Sequence, residues 1–171
     1  MNLRPIGLNH YATQTTDMAA THAFWTEVMG CEYVGGLRFG ARTVSTGEAV
    51  PAFIHTFYAL GDGSCVAFFE LAETAERHDD GWPGWTRHVA FSVGDRAELV
   101  RWKAHFEQHG IPVDGEVDHG GQFYSLYVTD PNGVRVELTH QPVPFGPSDR
   151  DEGRANLESW ISDKAAGRLS G

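Results

Sequence analysis

Two histidines and one glutamate stand on strand faces that the packing side chains leave free. In HVAFSV, Val89, Phe91 and Val93 form an apolar set, which puts His88 with Ala90 and Ser92 on the opposite face. In GLNHYATQ, His10 shares its face with Leu8, Ala12 and Gln14. In GVRVELTH, Glu137 lies with Arg135 and Thr139, opposite Val134, Val136 and Leu138. A strand carboxylate ordinarily faces water, and a strand histidine is ordinarily a surface or hydrogen-bonded residue. If the three faces line one cleft, two imidazoles and a carboxylate make a donor set for a divalent metal with three octahedral positions left open. Nothing in the set itself fixes the metal.

The elements that must position these residues occur twice. GLNHYATQTTDMAATHAFWTEVMGCEYV in the first half answers TRHVAFSVGDRAELVRWKAHFEQHGIPV in the second. Seven residues after His10 comes Asp17, and seven after His88 comes Asp95, each placed as the N-cap of a helix. Glu98 stands at capping-box distance from Asp95. Ala20, Phe24 and Val28 recur on one side of the first helix, Leu99, Trp102 and Phe106 on one side of the second, and Gly30 and Gly110 end them. Alternating runs at 53–60 and 65–71 flank Gly-Asp-Gly, as 122–129 and 134–140 flank Asp-Pro-Asn-Gly, so each half ends in a hairpin. The pattern predicts an α+β fold in which two βαβββ modules form a curved mixed sheet around a cleft. Module one spans 5–71, a linker rich in Gly, Trp and Pro spans 72–86, and module two spans 87–141, giving one domain over 1–141. The polar tail, 142–171, is compatible with helix and carries Trp160 and Ile161, expected to pack on the surface or on a second subunit.

Composition narrows the partners. The chain has 171 residues, enough for one ordinary domain, with 41% hydrophobic residues and five Trp to fill a core. It has 13 basic against 23 acidic residues, a net charge of -10, which leaves no basic stripe for nucleic acid or anionic membrane. No apolar run reaches membrane-spanning length and no signal peptide is evident, so a cytoplasmic location is expected. Cys31 and Cys65 lack metal or disulfide spacing and are expected as free thiols.

At LNH in the first strand, HAFWTEVMGCEYV around the first helix, RHVAFSV in the second half and SLYVTDPNGVRVEL in the last hairpin, the chain resembles the vicinal oxygen chelate superfamily. That superfamily includes glyoxalase I, fosfomycin-resistance and bleomycin-resistance proteins and type I extradiol dioxygenases. The resemblance implies that His10, His88 and Glu137 are the metal triad. It implies that Tyr127 faces substrate and that His119, in Asp118-His119-Gly120, acts beside it as an acid-base group. By itself, Tyr127 reads equally well as a packing aromatic. Glu70 corresponds to a hairpin position where glyoxalase I has a fourth ligand. Its neighbours are apolar on both faces, so it needs a partner, whether a metal or a protein group. Yet Glu70 lies seven residues after Gly63 whereas Glu137 lies four after Gly133, and equal facing requires a bulge.

The resemblance leaves several reactions, which the residues rank. Three protein ligands favour oxygen chemistry on Fe(II), an extradiol-type dioxygenase opening a catecholic or related aromatic ring; four favour a glyoxalase-like lyase or isomerase with Ni or Zn, and Mn is also compatible. No cation stands in VDGEVDHGGQFYS, which weakens the fosfomycin reading, and the acidic chain offers a glutathione conjugate few basic contacts. His55, Phe57 and Phe123 are expected to contact a small, aromatic substrate. A metal-free binding module of the bleomycin-resistance kind is the alternative from another class. A homodimer is expected, with the site built within one chain or across two.

Overall fold

The two aspartates start their helices. Asp17 Oδ1 accepts from the N–H of Ala20 at 2.9 Å, opening α1 (Met18–Ala23), and Asp95 Oδ1 accepts from the N–H of Glu98 at 2.7 Å, opening α2 (Arg96–Gln108). The Glu98 carboxylate reaches one residue beyond the capping-box position and accepts from the N–H of Gly94 at 2.7 Å. Gly30 and Gly110, at φ of 68° and 69°, take the left-handed conformation that closes each helix. The first helix departs from the expected stripe. After Ala23 it widens into a π-helix over Phe24–Val28, which turns Thr21, Phe24, Trp25 and Met29 into the core in place of an Ala20–Phe24–Val28 row.

A computed structural model describes residues 3–73 and 81–169. Residues 74–80 of the expected linker lie outside them; its end forms a single 3₁₀ turn at Gly84–Thr86. In module one, β1 (His10–Gln14), β2 (Glu32–Phe39), β5 (Phe53–Ala59) and β6 (Cys65–Leu71) form a sheet in the order β1-β6-β5-β2. In module two, β7 (His88–Ser92), β8 (Asp114–Asp118), β9 (Tyr124–Thr129) and β10 (Arg135–His140) form a sheet in the corresponding order β7-β10-β9-β8. In each, the first strand runs parallel to the last and the other pairs are antiparallel. A small ribbon, β3 (Arg42–Thr43) with β4 (Ala49–Val50), extends module one beyond its repeat. No helix among the described residues is long and apolar enough to cross a membrane.

One continuous core joins the modules. Trp25, fully buried, lies 5.6 Å from the ring of Phe68 and 6.0 Å from that of Phe91, and the same cluster takes in Leu99, Phe106, Leu126, Val136 and Leu138. The Asp-Pro-Asn-Gly turn is drawn into this junction. Asp130 Oδ1 accepts from the N–H groups of Asn132 and Val134, each at 2.8 Å, while Oδ2 accepts from Asn132 Nδ2 at 3.1 Å and from the Trp25 indole at 3.4 Å. Asn132 Nδ2 also donates to Thr21 Oγ1 at 3.0 Å, and Thr21 Oγ1 is 2.8 Å from Thr15 Oγ1. Beyond β10, Phe145 packs on Phe123 at 5.7 Å, and α3 (Pro147–Ala165) follows with no buried residue, Trp160 and Ile161 included.

Candidate metal site

Ladder register decides which side chains share a face. Glu137 is the Cα partner of Ala90 in β7 and of Tyr127 in β9, while Arg135 is the partner of His88. Paired residues project to the same side, so His88, Glu137, Tyr127 and Arg135 emerge together. His88 Nε2 lies 2.9 Å from Glu137 Oε2, and Glu137 is only 7% exposed. Tyr127 Oη is hydrogen-bonded to His119 Nε2 at 3.1 Å, which brings the loop histidine to the strand that bears the tyrosine. Burial, then the charge of Glu137, pushes the Tyr127 phenol above its ordinary range, with Arg135 pulling weakly the other way. The hydroxyl is therefore a proton donor throughout the neutral range.

His10 occupies the matching place in module one. Its Nδ1 is 2.7 Å from Asn9 Oδ1; an amide oxygen only accepts, so the contact favours the tautomer of the neutral ring with the proton on Nδ1, which leaves Nε2 as the nitrogen available to a metal. Its ring lies 5.6 Å from Phe57 and 6.1 Å from His55, two residues on the same face of β5. His55 is buried, stacks on Phe69 at 3.7 Å, and has Nδ1 3.3 Å from the Phe68 carbonyl. Burial lowers its pKa from 6.5, against the raising effect of the Phe68 carbonyl. The unfolded chain therefore takes up a proton at His55 that the folded chain refuses as pH falls below 6.5. Acidification through that range should cost stability, and thermal melts of His55→Phe should show a shallower loss than the parent.

The sequence leaves open whether the three ligands meet within one chain or across two, and within the single chain they do not come together. The two sheets turn their helix-covered faces to the common core, so the faces carrying His10 and His88 point away from it. Among the described residues, no group of three or more His, Cys, Asp or Glu comes together in a way that could hold a metal. One chain thus presents a His88–Glu137 pair on one wall and His10 on another.

The family model of the Glyoxalase/Bleomycin resistance protein/Dioxygenase superfamily matches residues 7–138. The chain belongs to this superfamily. Among solved superfamily-like structures, the lactoylglutathione lyase of Agrobacterium tumefaciens is 26% identical, with a TM-score of 0.56 over 80% of this chain and 95% of that one. A glyoxalase/dioxygenase from Nostoc punctiforme is 20% identical, with a TM-score of 0.58 over 84% and 98%. The fosfomycin resistance protein FosX of Listeria monocytogenes, complexed with Mn(II) and 1S,2S-dihydroxypropylphosphonic acid, is 21% identical, with a TM-score of 0.54 over 79% and 92%. No curated relative matches the chain.

Within this superfamily fold, the internal repeat resolves the fourth position. β5 and β6 pair without a bulge, so Glu70, the partner of Ile54, faces the helix side with Val66 and Phe68. Its Oε1 accepts from the N–H of Met18 at 3.0 Å, satisfying the first turn of α1. The true counterpart of Glu137 is Ala67, partner of Ala12 and Phe57 just as Glu137 is partner of Ala90 and Tyr127. Glu70 as a fourth ligand is therefore corrected to a helix-capping carboxylate. Glu70→Ala should lower stability by about 1 kcal/mol in urea titrations and leave metal content unchanged.

Two further placements refine the expected site. Phe123 packs on the root of the tail rather than on the aromatic wall, but its carbonyl accepts from the N–H of His119 at 2.9 Å and so helps hold that loop. Arg135 shares its strand face with Glu137, and nothing in the sequence alone assigns it a role. Its guanidinium sits 4.2 Å over the ring of Tyr127, and its Nη2 donates to Asp114 Oδ2 at 2.9 Å. A cation is thus present at the site, supplied by β10 and not by the stretch before the tyrosine.

Proposed function

We propose that this protein is a metal-dependent enzyme, an Fe(II) dioxygenase that opens a catecholic or related aromatic ring, working as a homodimer. In this reading His88 and Glu137 of one chain and His10 of a second copy hold the metal. The observation that carries it is the 2.9 Å separation of His88 Nε2 and Glu137 Oε2. Adjacent donors of an octahedral ion with bonds of about 2.1 Å lie about 3 Å apart, so the pair is already spaced as two ligands. A two-fold assembly repeats whatever one copy supplies, so two such chains offer two complete sets of three. Ala67 brings no donor, which supports a count of three.

Bound Fe(II) would supply open positions at which a diol and dioxygen can meet. The chain's own residues then do the rest. Tyr127 holds a proton at Oη, and His119, hydrogen-bonded to it, can take up or release one. His55, Phe57 and Phe69 from the His10 face give a flat ring an apolar wall.

A lyase or isomerase using Ni or Zn is the second reading, favoured by likeness to a lactoylglutathione lyase at 26% identity. The deciding experiment is anaerobic reconstitution with Fe(II), metal analysis, and an oxygen-uptake screen with catechols. Iron near one per chain with oxygen consumption supports the dioxygenase. Failure to bind iron, or hemithioacetal turnover with Ni or Zn and no oxygen uptake, rejects it.

A further inference from the structure

We infer that Arg135 selects for an acidic substrate, its guanidinium binding a carboxylate carried on the aromatic ring beside the His88–Glu137 pair. This rests on the proposed reaction for its substrate class. The strand register sets the position: Arg135 is the Cα partner of His88 and lies two residues from Glu137, so its side chain leaves the sheet on the same side as both. Within the strands of this sheet it is the only arginine or lysine in the sequence. The repeat makes Cys65 its counterpart, the partner of His10, so the charge belongs to this wall alone and is no scaffold feature of the duplicated fold.

The guanidinium is held ready and only lightly engaged. Its Cζ lies 4.2 Å from the centroid of the Tyr127 ring, a cation–π contact that holds the charge beside the His88–Glu137 pair. A single N–H contact at 2.9 Å joins it to Asp114, whose side chain is 71% exposed, against 28% for Arg135. An exposed pair of this kind is worth about 0–1 kcal/mol, so an incoming carboxylate can replace Asp114 and use two parallel N–H donors where Asp114 uses one. The need is electrostatic as well. On a chain of net charge -10, an anionic substrate approaching a wall that carries Glu137 and Asp114 meets repulsion unless a cation receives it.

The test compares 3,4-dihydroxybenzoate with 4-methylcatechol, measured by anaerobic calorimetry on Fe(II)-loaded protein, with oxygen uptake run in parallel. The parent should bind the acid about tenfold more tightly than the neutral diol. Arg135→Gln should abolish that preference while leaving the neutral diol's affinity within about twofold, and Asp114→Asn should strengthen the acid. Equal binding of the two diols by the parent overturns the inference. So does an Arg135→Gln variant that weakens both equally, the result expected of a strut beneath Tyr127. Arg135→Lys, which keeps charge without the fork, should retain part of the preference and guards against a folding failure in the glutamine variant. Preference without oxygen uptake sinks the reaction and keeps Arg135; uptake without preference does the reverse.

Discussion

Chains carrying Glu137→Ala and chains carrying His10→Ala will each be inactive alone, and a refolded mixture of the two will recover about a quarter of parental activity. Half of the random pairs are mixed. In each mixed pair, one site receives His10 from the Glu137→Ala chain and the intact His88–Glu137 pair from its partner, while the other site loses both. A site built within one chain gives no recovery at any mixing ratio. Each single change should be severe, because outer-shell partners alone are worth about 10–100-fold in metal affinity and a ligand is worth more. Folding should survive: Glu137→Ala removes a carboxylate whose hydrogen-bonding partner, His88, keeps 36% of its side chain in solvent and is not stranded. Circular dichroism on the single variants separates loss of metal from loss of structure.

Asp130→Ala will destabilise the protein by about 3 kcal/mol, more than any change on the exposed sheet faces. The carboxylate is 3% exposed and serves two backbone N–H groups of its own turn, the Asn132 amide and the Trp25 indole. Alanine strands all of these where little water reaches. Asp130→Asn keeps one acceptor oxygen and should cost about half as much. Urea unfolding measures both, and a loss below about 1 kcal/mol for alanine would mean that water can serve the turn.

The residues that do local work were legible in the chain. Asp17 and Asp95 cap helices wherever a helix begins, glycine ends one at a positive φ, and alternation put His10, His88 and Glu137 on the faces they occupy. The facing of Glu70 is legible in the chain as well. An offset of seven from Gly63 against four from Gly133 places the two glutamates on opposite faces when no bulge intervenes, and none does. What the sequence withheld was tertiary. Strand patterns say that His10 and His88 avoid the packed side, but not that both packed sides belong to one core, which sends the histidines apart. The π-helix was hidden because Ala20, Phe24 and Val28 fit an ordinary helical stripe as well as the observed set fits a widened one. The place of Arg135 is not legible in the chain because it follows Tyr127 in sequence, and only sheet pairing brings it beside that ring from the neighbouring strand.

The two hairpin turns close by different means, and this makes the second half lean on the first. In module one, Asp62 Oδ1 accepts from the N–H and hydroxyl of Ser64 at 2.9 and 2.6 Å, so that turn is complete within three residues. In module two, the turn finds its last partners on α1, with 111 residues separating Thr21 from Asn132. The receiving residues Thr21 and Trp25 belong to the core that both modules share, so this turn and the first helix complete one another. The turn that leads into the strand of Glu137 is thus anchored on the first half, so the halves of this duplicated chain are complementary pieces of one unit rather than two independent copies.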